Sequence, residues 1–304
     1  MQSRSRRVWR DGAIVDEANV SALAHAMQRG SLVFDVLSFH DTPRGIAVFR
    51  LREHVARLLR SCAIVGLAAP FSEEQLIAAA REAVAATGLR EGLVRMSAFV
   101  STVEADLVPR DNTATVVIAA YDRSDHPKKH VAPGPLRICV PRAMRKAAPT
   151  AIPPLAKVAA AYLGPMIARR SALEAGFDEI VLLDHEELVA EAPTANVMVV
   201  IDRVLVTPPL GSILDGITRD TILKLAREEG VPAIERPLRY AELITSDEAF
   251  LTATSYLVAP IASFDEHVLA MAAPGPITTR LRERFSKVIR GEDAHAEEWL
   301  TPIR

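Results

Sequence analysis

The period of apolar and polar positions changes several times along the chain, and each change marks an element. Ser31–His40 (SLVFDVLSFH) is rich in β-branched and aromatic residues and reads as extended, as does the shorter Val8–Ile14. Leu51–Gly66 switches to a helical period, with Val55, Leu58 and Leu59 on one apolar stripe. Phe71-Ser72-Glu73-Glu74-Gln75 is a capping box, in which Ser72 is the N-cap and Gln75 reaches back to it. The helix it opens runs to Thr87 and stops at Gly88. Ala114–Tyr121 is strand-like again and runs into Asp122–Pro135 (DRSDHPKKHVAPGP), a polar stretch rich in Pro and Gly. The expected division is an N-terminal domain over 1–122, an interdomain linker over 123–135 and a C-terminal domain over 136–304.

The second part opens with a strand, Leu136–Val140, and an irregular Pro-rich approach. A helix is expected from Lys157 to Ala175, ended by Gly176. Four strand-like runs follow: Glu179–Leu183, Leu188–Glu191, Asn196–Ile201 and Val204–Val206. Their short polar turns suggest hairpins or an antiparallel meander. Helix Thr218–Glu229 ends at Gly230, and strand Glu248–Thr252 leads into a polar turn. Many strands with helices on one side predict an α+β fold rather than a doubly wound sheet.

Composition narrows the class. The chain of 304 residues carries 36 basic and 38 acidic side chains, a balance that concentrates neither nucleic acid nor anionic lipid. Cys62 and Cys139 are far apart and lack metal or redox spacing. Neither a disulfide framework nor a metal site is expected, and a reducing, cytoplasmic setting is. Apolar stretches are broken by Arg, Asp or Pro before the roughly 18 residues of a membrane span. The start, MQSRSRRVWRDG, lacks the apolar run of a secretory signal. A soluble enzyme is the leading expectation.

Lys157 is the clearest chemical anomaly. It is the only charged residue from Ala147 to Ala168 (AAPTAIPPLAKVAAAYLGPMIA). Packed among small apolar neighbours, its ammonium would be desolvated and its pKa lowered, as amine chemistry on a carbonyl requires. A lysine snorkelling from a helix start is the bland alternative. Asp215-Gly216-Ile217-Thr218-Arg219 opens a patterned helix with Thr218 as a plausible N-cap, and such a terminus suits a phosphate. An ordinary capped helix reads the same way. Thr252-Ala253-Thr254-Ser255, a hydroxylic turn after a strand, is a candidate second half of that cradle. Glu191, in LVAEAPTANVMVV, ends a strand just before the turn that leads to Asn196. Set against a pyridinium nitrogen it would keep that nitrogen protonated; alone, it reads equally as a solvated turn residue.

These segments, taken in order, resemble the class IV, fold-type IV pyridoxal-phosphate aminotransferases. The pieces are AKVAAAYL around Lys157, GFDEIVLLD, VAEAPTANVMVV, TPPLGSILDGITRDTI, IERPL, DEAFLTATS and GPIT. The resemblance covers about Val8 to Thr278 and, in the second half, looks closest to the branched-chain enzymes. It implies a two-domain α+β fold, with a smaller α/β N-terminal domain, a larger C-terminal pseudo-barrel domain and the cofactor in the cleft between them. It also implies pyridoxal 5'-phosphate as cofactor and a homodimer in which a partner loop closes each site.

The resemblance gives residue roles as well. Lys157 looks like the lysine that forms the Schiff base, and Glu191 like the partner of the pyridine nitrogen. Tyr162 would hydrogen-bond the phenolic oxygen, and Arg57 looks like the phosphate-binding arginine. Ile217, Thr218 and Thr254 would complete the phosphate cup, Leu214 would pack on the ring, and Asn196 would join the cofactor-binding set. Arg95 matches a position that helps bind a substrate carboxylate; Phe34, Arg29 and Ser255 would lie on the substrate side.

That wall departs from the branched-chain pattern. Arg29 stands where those enzymes usually carry a tyrosine, and Val33–Ser38 (VFDVLS) replaces a VFEGLR-like run. Arg29 would either read a carboxylate or pair with Asp35 as a structural element. The implied function is a transaminase that moves an amino group between a branched-chain-like amino acid, or an amine, and a 2-oxo acid through Lys157. A D-amino-acid or (R)-amine transaminase and an aminodeoxychorismate-type lyase of the same fold are the alternatives.

Overall fold

A computed structural model describes residues 7–122 and 134–303. Residues 123–133, most of the expected linker, lie outside the described set. The chain clusters into two compact units. One comprises Met1–His126, Ala156–Ala160 and Lys287–Arg304; the other comprises Pro127–Leu155 and Ala161–Ser286.

The first unit is built on strands β1 (Val8–Arg10), β2 (Ala13–Val15), β3 (Val33–Thr42), β4 (Gly45–Phe49), β5 (Gly92–Phe99) and β6 (Thr115–Tyr121). The run Val8–Ile14 is therefore not one strand. Asp11 and Gly12, both at positive φ, turn it into a hairpin whose Trp9 pairs with Ile14. The sheet is antiparallel throughout, in the order Leu300–Pro302, β4, β3, β5, β6, β1, β2. Its first strand comes from the end of the chain, which the sequence division had assigned to the other domain. Trp299, fully buried, secures that end by packing edge-on against Phe49 at 6.4 Å. Helices α1 (His25–Arg29), α2 (Leu51–Ile64) and α3 (Glu73–Thr87) belong to the unit, and α2 packs on β3. The Ser72–Gln75 capping box and the left-handed Gly88 bound α3 as the sequence predicts.

In the second unit, strands β7 (Leu136–Cys139), β8 (Glu179–Ile180), β9 (Glu191–Ala192), β10 (Ala195–Ile201), β11 (Val204–Thr207), β12 (Ala233–Glu235), β13 (Glu248–Ala253), β14 (Leu257–Phe264) and β15 (His267–Val268) form one sheet. Its path runs β12, β11, β10, β13, β14, β7, β8, with β9 on β10 and β15 on β14. The expected hairpins hold for β9, β10 and β11. The wider meander does not: β8 joins β7 in parallel, and β13 lies beside β10. Helices α4 (Leu163–Glu174), α5 (Ile217–Glu228) and α6 (Tyr240–Ile244) belong to this unit. The core gathers Val197, Val199, Leu251, Ile261 and Phe264. Among the described residues, no helix is long and apolar enough to cross a membrane.

Two expected helix starts shift. Lys157 lies outside any helix, in a tight turn closed by Val158 N–H to the Ala156 carbonyl at 3.0 Å; a short 3₁₀ turn, Ala159–Tyr162, follows, and α4 begins only at Leu163. The alanine-rich sequence favours helix, but the peptides of 157–159 pair with β3 instead. Helix α5 is capped by Gly216 rather than Thr218, and no side chain makes a cap bond there.

Candidate active site

In the first unit the reactive candidates gather on β3 and α2. Phe34 N–H donates to the Lys157 carbonyl at 3.0 Å, and Ala159 N–H donates to the Leu32 carbonyl at 2.8 Å. On its other side, Lys157 N–H donates to Ser61 Oγ of α2 at 3.1 Å. The lysine is thus held against the start of β3, half-buried, with Nζ 5.1 Å from the centre of the Phe34 ring. The guanidinium of Arg95 lies 4.0 Å over the same ring. Both cations gain from the negative face of the aromatic. Arg95 sits opposite Val36 in the β3–β5 register and is exposed. Phe34, Arg95 and Lys157 are therefore brought together.

Arg57 is buried on α2 and reaches the next residue of β3. Its Nε and Nη2 donate to the two oxygens of Asp35 at 2.7 and 2.8 Å, a bidentate fork. His54 Nδ1, one turn earlier on α2, donates to Asp35 Oδ1 at 2.6 Å. Asp35, Arg57 and His54 are each at most 5% exposed. Burial alone would push the Asp35 carboxyl up, but the charge of Arg57 and the bonds from both partners hold it far below the usual carboxylate range. Burial pushes the His54 imidazole down, against a smaller opposing pull from Asp35. The expected alternative of an Arg29–Asp35 pair is corrected here. Arg29 Nη2 donates to the Ala105 carbonyl at 3.0 Å, and Asp35 is held by α2.

In the second unit, Glu191, Asn196 and Leu214 form one network. Glu191 Oε2 accepts from Asn196 Nδ2 at 2.9 Å and from Leu214 N–H at 3.1 Å. Asn196 Nδ2 also donates to the Leu214 carbonyl at 3.1 Å. The other Glu191 oxygen pairs with Lys146. Three donors therefore converge on this one buried carboxylate. Ile217 and Thr218, both buried, open α5 directly behind Gly216. Gly216 packs so closely on the Asn196 side chain that a Cβ would collide with Asn196 Oδ1. Thr254 and Ser255 lie in the turn between β13 and β14. Thr252, opposite Asn196 in the sheet, has a buried hydroxyl with no hydrogen-bond partner. Tyr162 ends the 3₁₀ turn and precedes α4.

Sequence reasoning gave Asp35 the wrong partner and missed His54, Lys146 and Ser61. Asp35 carried a signal, as an acid inside an otherwise apolar strand, and so did His54, three residues before Arg57 on a helix. Lys146 stood just outside the uncharged window around Lys157. Ser61 carried none, since a serine within a helix is unremarked until its partner is known.

The arrangement can hold an amine near a cationic, aromatic wall in one unit. In the other it presents a carboxylate fixed by donors and an uncapped helix start. Comparisons with known proteins give these features a family. The signature described as "Amino-transferase class IV" matches residues 32–264. The branched-chain-amino-acid aminotransferase of Pseudomonas aeruginosa is 31% identical over 100% of this chain and 99% of its own. The crystal structure of the branched-chain aminotransferase from Thermoproteus uzoniensis with norvaline is 34% identical, with a TM-score of 0.93, covering 99% of this chain and 100% of that one. The branched-chain amino acid aminotransferase from Thermobaculum terrenum, in its PLP-bound holo form, is 28% identical, with a TM-score of 0.92 over 100% of both chains. The chain belongs to the class IV aminotransferases.

Proposed function

We propose that this aminotransferase moves an amino group between an aliphatic amino acid of the branched-chain type and a 2-oxo acid such as 2-oxoglutarate. Its cofactor is pyridoxal 5'-phosphate, which supplies an aldehyde that takes up the amino group and a pyridinium ring that draws electrons from the substrate's α-carbon. The residues present fit that group. Glu191 offers a carboxylate oxygen to a protonated ring nitrogen. Gly216, Ile217 and Thr218 offer the positive end of α5 to a phosphate. The unpartnered Thr252 hydroxyl beside the Thr254–Ser255 turn marks a further place for a polar ligand atom.

The roles follow from the chemistry of each side chain. Lys157 Nζ binds the cofactor and moves the proton at the α-carbon as base and acid. Arg57, Ile217, Thr218 and Thr254 bind the phosphate, Tyr162 the phenolic oxygen and Leu214 the ring face. Asn196 orients Glu191. Arg95 binds a substrate carboxylate over Phe34, and Ser255 lies on the substrate side. The working form is a homodimer. The two free cysteines, Cys62 and Cys139, suit a reducing cytoplasm.

The observation that carries the proposal is Lys157 clamped at both ends of its residue beside Phe34 and Arg95, in a chain that matches this family over its length. The test is a panel of L- and D-amino acids and (R)-amines against pyruvate and 2-oxoglutarate. L-Leucine, L-valine and L-isoleucine should lead as donors. Preference for D-amino acids or (R)-amines, or pyruvate release without an acceptor, would overturn the substrate assignment. Borohydride should fix the cofactor on Lys157, and Lys157→Ala should abolish turnover.

A further inference from the structure

The geometry points to Ser61 as a positioning residue for Lys157. Residues Ala156–Ala160 pack with the first unit, while the chain on either side belongs to the second. Lys157 itself lies in no helix or strand of that visit. Its carbonyl and following N–H groups are taken by β3, through Phe34 N–H to the Lys157 carbonyl and Ala159 N–H to the Leu32 carbonyl. That side of the visit is an ordinary edge pairing, with Val158 opposite Val33. The Lys157 N–H points the other way and meets Ser61 Oγ at 3.1 Å.

Ser61 is fully buried, so its hydroxyl has no water to turn to. It donates its proton to the Arg57 carbonyl one turn back on α2, at 2.9 Å. Back-bonding of this kind fixes the hydroxyl rotor. With the proton committed, the lone pairs remain for the Lys157 N–H. The lysine is thereby tied by one oxygen to the turn of α2 that follows Arg57. Without that oxygen the half-buried N–H would lose its acceptor, and the peptide would rotate to find another. Rotation there moves the root of the very side chain whose Nζ must meet the substrate carbon.

This assignment rests on Lys157 being the reactive amine, and the test separates the two. The full-length apoprotein is treated with pyridoxal, an aldehyde lacking phosphate, and cyanoborohydride. Mass spectrometry then compares tagging at Lys157 with tagging at the exposed Lys287. Using a phosphate-free aldehyde leaves the Arg57 contact out of the measurement. Ser61→Ala should lower the Lys157-to-Lys287 ratio about tenfold, the factor equivalent to about 1.4 kcal/mol. Ser61→Thr, which keeps the hydroxyl, should restore the ratio, whereas a merely structural role would leave it unmoved in both variants. In the holoenzyme, Ser61→Ala should lower kcat with the donor KM unchanged, because Ser61 meets the lysine backbone and not the substrate. If Ser61→Ala does not fold, Ser61→Cys carries the same comparison, with partial loss supporting the role and none overturning it. A wild-type ratio retained by Ser61→Ala overturns the positioning role alone. Absence of tagging at Lys157 in the wild type overturns the reading of Lys157 itself.

Discussion

At the scale of single residues, Asp35 sets the terms for two others. It is an acid in the apolar strand VFDVL, buried, and tolerable there only because Arg57 and His54 satisfy it. Removing Arg57 should therefore do two things. Arg57→Ala should weaken cofactor binding about 10- to 150-fold, through loss of a charge-assisted bond of about 1.5–3 kcal/mol. It should also destabilise the fold by about 3–5 kcal/mol, because Asp35 loses its buried countercharge and keeps only the His54 bond. The double variant Arg57→Ala, Asp35→Asn should regain stability but not cofactor affinity. Fluorescence titration with the cofactor and urea melts read the two effects separately, and recovery of both would remove Arg57 from the phosphate site. His54 gives a prediction in pH. Its folded pKa lies below the unfolded value of about 6.5, so between the two the unfolded chain holds a proton the folded chain lacks. Acidification through that window must then drain stability. Asp35, also depressed, adds a loss of the same sign that begins near its ordinary value of about 3.9 and grows as pH falls further. Wild type should lose more urea resistance between about pH 7.5 and pH 5.5, the range that brackets the unfolded histidine, than His54→Gln, which keeps a donor without the titration. Equal losses would show that His54 is not buried neutral.

At the scale of elements, the sequence was legible where a period or cap acts locally. The α3 capping box, the α2 stripe and the β3 run follow from residues within each element. It was illegible where a distant partner decides. Lys157 and Val158 have helix-forming neighbours, yet Val158 pairs with Val33 at the far end of the sequence and draws the lysine out of the helix. The turn at Asp11-Gly12 was legible in principle, since an Asp-Gly pair between apolar residues is a hairpin signal. The cap of α5 was misplaced because the glycine there answers to tertiary contact rather than propensity. Gly216 has φ −77° and ψ 123°, a conformation open to any residue, so its need is for space alone. Gly216→Ala should push Asn196 away from Glu191 and Leu214 and cost about 1–3 kcal/mol. In an Asn196→Ala background the same change should cost little. A double-mutant cycle by chemical denaturation reads the coupling, and strictly additive costs would mean that the two side chains do not compete.

At the scale of the whole molecule, the resemblance carried the family and the cofactor from ordered motifs, and the comparisons bear both out. What those motifs say least about is assembly, and here α4 speaks instead. Its inward face is only Ala168 and Ala172, packed on Ile180 and Leu182. Its large apolar residues face outward: Leu163 at 61% exposure, Met166 and Ile167 at 51%, and Leu173 at 42%. A surface helix of a monomer shows the reverse, with large apolar side chains inside and polar ones in water. Full burial of one such side chain stabilises by about 1.5–3 kcal/mol, so covering this face is favourable for any apolar partner surface. The implied homodimer supplies that partner in a second copy of the chain, and we propose that α4 contributes to it. Sedimentation velocity should then give a dimer for the wild type. Ile167→Glu, which sets a charge beside Leu163 and Met166 on that face, should shift the population toward monomer without altering the far-ultraviolet circular dichroism. Arg203→Glu, a charge reversal at an exposed residue of the turn between β10 and β11, should leave the dimer intact. A monomeric wild type, or equal behaviour of the two variants, would leave the outward face of α4 to some other partner.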